Sequence, residues 1–181
     1  MINTSFTTWP LFTEEEAKAA SDILLSNRVN YWTGQEGRSF EKEFASWSQC
    51  DYAVAVSNGT VAIDLAFKAT SIGVGDEVIV TSRTFLASVS SIVTAGATPV
   101  FIDINHDSQN VDAETIASAI TSNTRAIVCV HLAGWPCDMD AIVQLAEQHG
   151  LFVIEDCAQA HGAQYKGRSV GSIGHLGAWS F

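Results

Sequence analysis

Positive charge is scarce in this sequence. Only 9 lysines and arginines stand against 20 aspartates and glutamates, a formal net charge of −11. A surface that acidic repels phosphate backbones and anionic headgroups, so neither a nucleic acid nor a membrane is expected as a partner. No apolar run reaches the length of a bilayer span. The opening Met1-Ile2-Asn3-Thr4-Ser5 has neither the basic region nor the apolar stretch of a secretory leader. The four cysteines, Cys50, Cys129, Cys137 and Cys157, make no CxxC pair and no compact disulfide framework. Reduced thiols in a cytoplasmic protein are the expectation. Familiar catalytic signatures are missing as well. There is no GxxxxGK[ST], no GxSxG, no HExxH, and no GxGxxG after a strand. His131, His161 and His175 lack paired-ligand spacing, and no metal site is expected.

What is present is a globular composition, 47% hydrophobic and 16% charged over 181 residues. That is enough for one domain with a real core, or for a large part of something bigger. Thr13-Glu14-Glu15-Glu16 is a capping-box pattern ahead of Ala17, Ala20 and Leu24 at helical spacing. Phe40, Phe44 and Trp47 mark the face of a second helix. The two helices form a preamble, residues 1–50, docked on the rest of the chain. Between them, residues 28–37 make a polar loop in which Tyr31 and Trp32 are expected to be partly buried, with a ligand or subunit contact as the alternative. From residue 51 onward a rhythm sets in. Residues 53–56, 77–81, 98–102, 126–130 and 152–155 read as short strands, spaced roughly 20–30 residues apart as βαβ units require. Helices are expected at 61–71, at 85–95 ending on Gly96, from Asp112, and from an Asp138 cap to Gly150. Tyr165-Lys166-Gly167-Arg168 reads as a turn, and residues 178–181 begin a further strand. Alternation of this kind means an α/β fold, a mostly parallel sheet covered by helices on both faces.

Chemistry gathers at the carboxyl edge of that sheet. Phe152-Val153-Ile154-Glu155-Asp156 is an apolar strand ending in two carboxylates, which alternation sends to opposite faces. Asp156 there is either a ligand-facing carboxylate or a plain strand end or cap, and the residues alone leave both open. Gln159 comes three residues later and can face the same pocket. Ser57-Asn58-Gly59-Thr60 joins the first strand to its helix. Gly59 allows close backbone approach, the helix N-terminus offers free N–H groups, and Thr60 adds a hydroxyl. It suits a phosphate, or it is an ordinary capping turn. Phe85 lies just past the second strand and is either core or a ring-sized platform for an aromatic ligand.

A phosphate turn, an aromatic, a carboxylate and an amide on one sheet edge suit a phosphorylated heteroaromatic cofactor. The sequence resembles the DegT/DnrJ/EryC1/StrS group of fold-type-I pyridoxal-phosphate enzymes, the sugar aminotransferases. The matching stretches run in order through nearly the whole chain. They include Val56-Ser57-Asn58-Gly59-Thr60, Gly73-Val74-Gly75-Asp76, Gly96-Ala97-Thr98-Pro99-Val100-Phe101, Val130-His131-Leu132-Ala133-Gly134, Ile154-Glu155-Asp156-Cys157-Ala158-Gln159-Ala160-His161-Gly162 and Tyr165-Lys166-Gly167-Arg168. The resemblance implies a three-layer α/β/α large domain over residues 51–181 that stops before its last sheet strand. It implies pyridoxal 5'-phosphate as cofactor. Gly59, Thr60 and Ser180 match its phosphate contacts, Phe85 the ring that stacks on the pyridine, Asp156 the partner of the ring nitrogen, and Gln159 the group near the phenolic oxygen. The implied reaction is amination of a nucleotide-linked keto-sugar with glutamate as donor, in a cytoplasmic homodimer, for surface polysaccharide or secondary-metabolite sugars.

The family's Schiff-base lysine matches no residue here. Its position falls a few residues past Phe181, and Lys68 and Lys166 read as surface lysines. Residues 1–181 alone are therefore expected to be inactive and poorly stable, with uncovered sheet edges near Val54 and Trp179. A sugar dehydratase with histidine at the lysine position, and a non-catalytic protein with an interaction role, are the alternatives.

Overall fold

The computed structural model describes residues 10–181; Met1 to Ser5, on which the leader expectation rests, lie outside the described residues. The chain runs α1 (Glu14–Ser26), α2 (Glu36–Ser48), α3 (Gly59–Ala69), β1 (Glu77–Thr81), α4 (Leu86–Thr94), β2 (Thr98–Ile102), α5 (Ala113–Ala117), β3 (Thr124–Val130), α6 (Met139–His149), β4 (Phe152–Asp156), the two-residue strands β5 (Gln164–Tyr165) and β6 (Arg168–Ser169), and β7 (Leu176–Ala178). Five strands form one sheet in the order β2-β1-β3-β4-β7, with every neighbouring pair parallel. No described helix is long and apolar enough to cross a membrane.

Both faces of the sheet are covered, as the near-continuous apolar strands require. Along β1, Val78 and Val80 pack with Ile63 and Phe67 of α3 and Ile92 of α4. Ile79, between them, packs on the other face with Ile116 of α5 and Met139 and Ile142 of α6. The three-layer α/β/α expectation holds. So do several local signals. Thr13 and Glu16 close a reciprocal capping box on α1, and Asp112 does the same with Thr115 on α5. Lys166 and Gly167, both at positive φ, turn β5 into β6. Asp138 stands at the N-cap of α6, yet its carboxylate accepts from the Tyr165 hydroxyl instead of a helix N–H. Lys68 is exposed and Lys166 pairs with Asp140 at the surface, 2.7 Å away.

Other expectations fail for identifiable reasons. Residues 53–56 form no strand. A strand needs a ladder, and among the described residues this segment has only the Ala55 N–H donated to Glu41 Oε1, at 2.9 Å. The last strand is Leu176–Ala178, earlier than the expected 178–181, because only residues 176–178 lie in register with Ile154–Asp156. Between residues 52–56 and 176–181 runs a hollow of about 830 Å³, along the sheet edge expected to be uncovered. Of the two N-terminal helices, one is docked and the other is not. α1 has no buried residue, and Trp32 is 84% exposed, so the loop aromatics are not core. α2 does dock. Phe44 and Trp47 meet Trp179 edge-on at 5.5 and 5.6 Å, and Phe40 meets Phe181 at 5.4 Å.

The expected alternation at the end of β4 is observed, and Glu155 proves to be a fully buried anchor. Its Oε2 accepts from His131 Nε2 at 2.9 Å and the Gly171 N–H at 2.8 Å. Its Oε1 accepts from the Ile173 and Gly174 N–H groups at 2.8 and 2.6 Å. The Cys137 N–H points at His131 Nδ1, 3.1 Å away, so Nδ1 keeps its lone pair and Nε2 carries the proton given to Glu155. Burial pushes the Glu155 carboxyl up, but the His131 bond and the backbone N–H groups outweigh it and leave it below the usual range. A carboxyl lowered on folding stabilises above its unfolded pKa, and that contribution disappears as pH falls through the folded one. Glu155→Ala would leave four donors orphaned and should cost about 3–5 kcal/mol of stability near neutral pH. Urea denaturation checks this, with the gap between wild type and variant narrowing in acid. A gap under about 1 kcal/mol would discount the anchor.

Candidate functional site

At the carboxyl ends of β1, β3 and β4 the helices diverge, α4 to one face and α6 to the other, which is where an open α/β sheet forms a crevice. A cavity of about 100 Å³ opens there. All six residues singled out from the sequence line it: Gly59, Thr60, Phe85, Asp156, Gln159 and Ser180. The larger hollow beside residues 52–56 excludes Thr60, Phe85, Asp156 and Gln159 and belongs to the sheet edge.

One wall is the start of α3. Asn58 caps it, its side-chain oxygen accepting the Val61 N–H at 3.0 Å. The N–H groups of Gly59 and Thr60 have no acceptor among the described residues, so both remain available at the positive end of the helix dipole. Gly59 is needed for closeness. A β-carbon there would lie 2.8 Å from Ser180 Cβ and 3.2 Å from the Trp179 carbonyl oxygen. The aromatic contacts between α2 and Trp179 and Phe181 fix the segment that brings Ser180 to this place.

The opposite wall is the end of β4. Asp156 is 6% exposed, and register sets it between Val130 and Ala178. Its Oδ2 accepts from Ser88 Oγ at 2.6 Å, and its Oδ1 from the Ala158 N–H at 3.2 Å. Gln159 Oε1 accepts the Ala133 N–H at 2.9 Å, which fixes the amide with its NH₂ as the free donor. Ala133, at φ 53 and ψ 27, sits in the left-handed region within the 3-10 turn Leu132–Gly134. Phe85 precedes α4 and is 71% exposed, so it is not a core side chain.

Ser88 escaped notice in the sequence because a serine inside an apolar helix pattern carries no motif. The trio His131, Glu155 and Cys157 places a ligand-type atom of each within 4.8 Å of the others. Both imidazole nitrogens and all four carboxylate lone-pair directions are already used there. Burial, then the Glu155 and Asp156 charges, push the Cys157 thiol well above its ordinary range. The cluster is a closed structural network. All four cysteines are free.

The site can therefore present N–H donors and hydroxyls to an anion, a carboxylate to a cation, and an exposed ring, all lining one cavity. Solved structures that share this arrangement of strands and helices include aminotransferases. The X-ray structure of an aminotransferase from Psychrobacter cryohalolentis superposes with a TM-score of 0.95 at 64% identity, covering 98% of this chain and 45% of that one. For 3-amino-5-hydroxybenzoic acid synthase the TM-score is 0.92 at 35% identity, covering 98% and 46%. The model of the DegT/DnrJ/EryC1/StrS aminotransferase family matches residues 10–181, and the chain belongs to that family. Among curated relatives, GDP-perosamine synthase of Escherichia coli O157:H7 is 45% identical over 95% of this chain and 47% of its own length. The dTDP-3-amino-3,4,6-trideoxy-alpha-D-glucose transaminase of Streptomyces venezuelae is 44% identical over 92% and 45%. The chain spans about half the length of these relatives.

Gly59→Ala tests the packing of this corner directly. The added methyl collides with Ser180 Cβ and backbone, so stability should fall by about 1–3 kcal/mol. A chemical melt indistinguishable from wild type would show that α3 and the Ser180 segment are not in close contact.

Proposed function

We propose that this domain holds pyridoxal 5'-phosphate and serves the transamination of a nucleotide-linked keto-sugar to an amino-sugar, with glutamate as the amino donor. The observation that carries the reading is the buried Asp156 carboxylate facing one cavity with Gly59, Thr60, Phe85, Gln159 and Ser180. The sugar-nucleotide products named for GDP-perosamine synthase and the dTDP-amino-sugar transaminase support the substrate class. The donor set fits the cofactor. Gly59 and Thr60 N–H groups with the Thr60 and Ser180 hydroxyls suit a phosphate. Phe85, exposed and flat, suits one face of a pyridine ring. Asp156 is an acceptor for a protonated ring nitrogen, and the Gln159 NH₂ is a donor for a phenolic oxygen.

When bound, the cofactor supplies an electron sink for negative charge arising beside the reacting nitrogen. This chain's residues hold and tune it. The α3 terminus and Ser180 grip the phosphate, so the ring enters in one orientation. Asp156 keeps a proton on the ring nitrogen, without which the ring draws electrons poorly. Lys68 and Lys166 do not line the cavity. In this reading covalent attachment comes from outside the described residues, and residues 1–181 alone do not transaminate. Residues 1–50 are a preamble to the large domain begun at 51. The free cysteines support a reducing, cytoplasmic setting.

A homodimer belongs to the same proposal, with residues 28–37 in its contact. The support is the apolar surface that α1 and this loop present, with Leu24, Leu25, Tyr31 and Trp32 all exposed. Light scattering of the whole protein should give twice the monomer mass, and a monomer mass would count against it.

Asp156→Asn is the test of the chemistry. In the whole protein it should leave phosphate binding intact and lower transamination on the order of 10³-fold, about 4 kcal/mol of barrier. Near-normal turnover would sink the assignment. A structure with cofactor bound should place its phosphate against Gly59 and Thr60, and a phosphate found elsewhere would remove those contacts.

A further inference from the structure

Ser88 has no part in the cofactor contacts proposed above, yet it is bound tightly to the residue at their centre. Its side chain lies in the first turn of α4 and is fully buried. Ser88 Oγ is 2.6 Å from Asp156 Oδ2 and 2.7 Å from Thr84 Oγ1. An ionised carboxylate only accepts, so the Ser88 hydroxyl proton goes to Asp156. With that single proton committed, Ser88 Oγ can only accept from Thr84. The chain of hydroxyls has one direction: Thr84 O–H to Ser88 Oγ, then Ser88 O–H to Asp156 Oδ2.

The other oxygen of Asp156 takes the Ala158 N–H at 3.2 Å. Both donors are neutral, and among the described residues no lysine, arginine or histidine pairs with this carboxylate. Glu155, its neighbour on the opposite face, is met by a histidine and three backbone N–H groups. Asp156 is held by dipoles that orient it and leave its charge uncancelled, with a lone pair on each oxygen still open. A buried carboxylate in that state has its strongest affinity for a cationic N–H arriving in the cavity.

We propose that Ser88, backed by Thr84, is the positioning residue that aims the Asp156 carboxylate at a protonated heteroaromatic nitrogen. The proposal rests on the reading of Asp156 as the ring-nitrogen partner. Ser88 touches neither ring nor substrate and acts through Asp156 alone. Its contribution therefore depends on the ligand having a ring nitrogen, whereas a purely structural serine would affect every ligand alike.

The experiment titrates the whole protein with pyridoxamine phosphate and with its analogue in which carbon replaces the ring nitrogen. Both bind without a covalent bond to lysine. For Ser88→Ala we expect pyridoxamine phosphate to weaken about tenfold and the carbon analogue to change less than about twofold. Ser88→Thr, which keeps the hydroxyl, should restore the affinity. Thr84 is only half-buried, so Thr84→Val disturbs the packing less and carries the test if Ser88→Ala does not fold. It should weaken pyridoxamine phosphate about threefold, with the same selectivity. Equal weakening of both ligands, or no change for either, would overturn the positioning role. Wild-type protein that binds the two ligands equally well would instead overturn the pairing of Asp156 with the ring nitrogen.

Discussion

The buried carboxylate of Glu155 is the contact on which the site depends, although it faces away from it. Its four donors come from the end of β3 and from residues 171–174. That loop is laced onto β4 further by the His175 N–H to the Val153 carbonyl, at 2.8 Å. Only then does the chain enter β7 and deliver Ser180 to the start of α3. Loss of the anchor would free the loop that sets β7 in register, and the cavity would lose a wall. The desolvation of such a carboxylate is costly, and only complete hydrogen bonding offsets it.

Two adjacent carboxylates thus do opposite work. Glu155 is saturated by donors, one of them a histidine, and is closed to any ligand. Asp156 is held by one hydroxyl and one amide and stays open to a cation. The difference arises from the pleat of β4, which turns one side chain toward the loop 171–174 and the next toward α4. In the same cavity the α3 terminus provides unused N–H groups. Together they give one cavity both free N–H donors and an open carboxylate, complementary to a ligand that carries both charges.

Where expectation and structure part, the cause is a missing or unexpected neighbour. Residues 53–56 have strand composition and sit against Glu41 without a ladder. Tyr31 and Trp32 have the character of core residues and stand exposed. α1 has an apolar stripe and a complete capping box, yet no described element covers it. In each case the local signal is present and the partner surface is not, because pairing and burial are properties of two surfaces.

Ser180 was reached only through the family resemblance, whereas the parallel α/β rhythm, the caps at Thr13 and Asp112, the turn at Lys166-Gly167 and the place of Gly59, Thr60, Phe85, Asp156 and Gln159 at the sheet edge were legible in the sequence. Each of the latter is encoded locally, in periodicity, capping chemistry or a motif a few residues long. The closeness of Gly59 to Ser180, the saturation of Glu155, and the relay from Thr84 through Ser88 to Asp156 were not. The bond between Ser88 and Asp156 joins residues 68 positions apart. No local pattern records which serine of an apolar helix will meet a strand end, so packing of α4 against the sheet alone decided it.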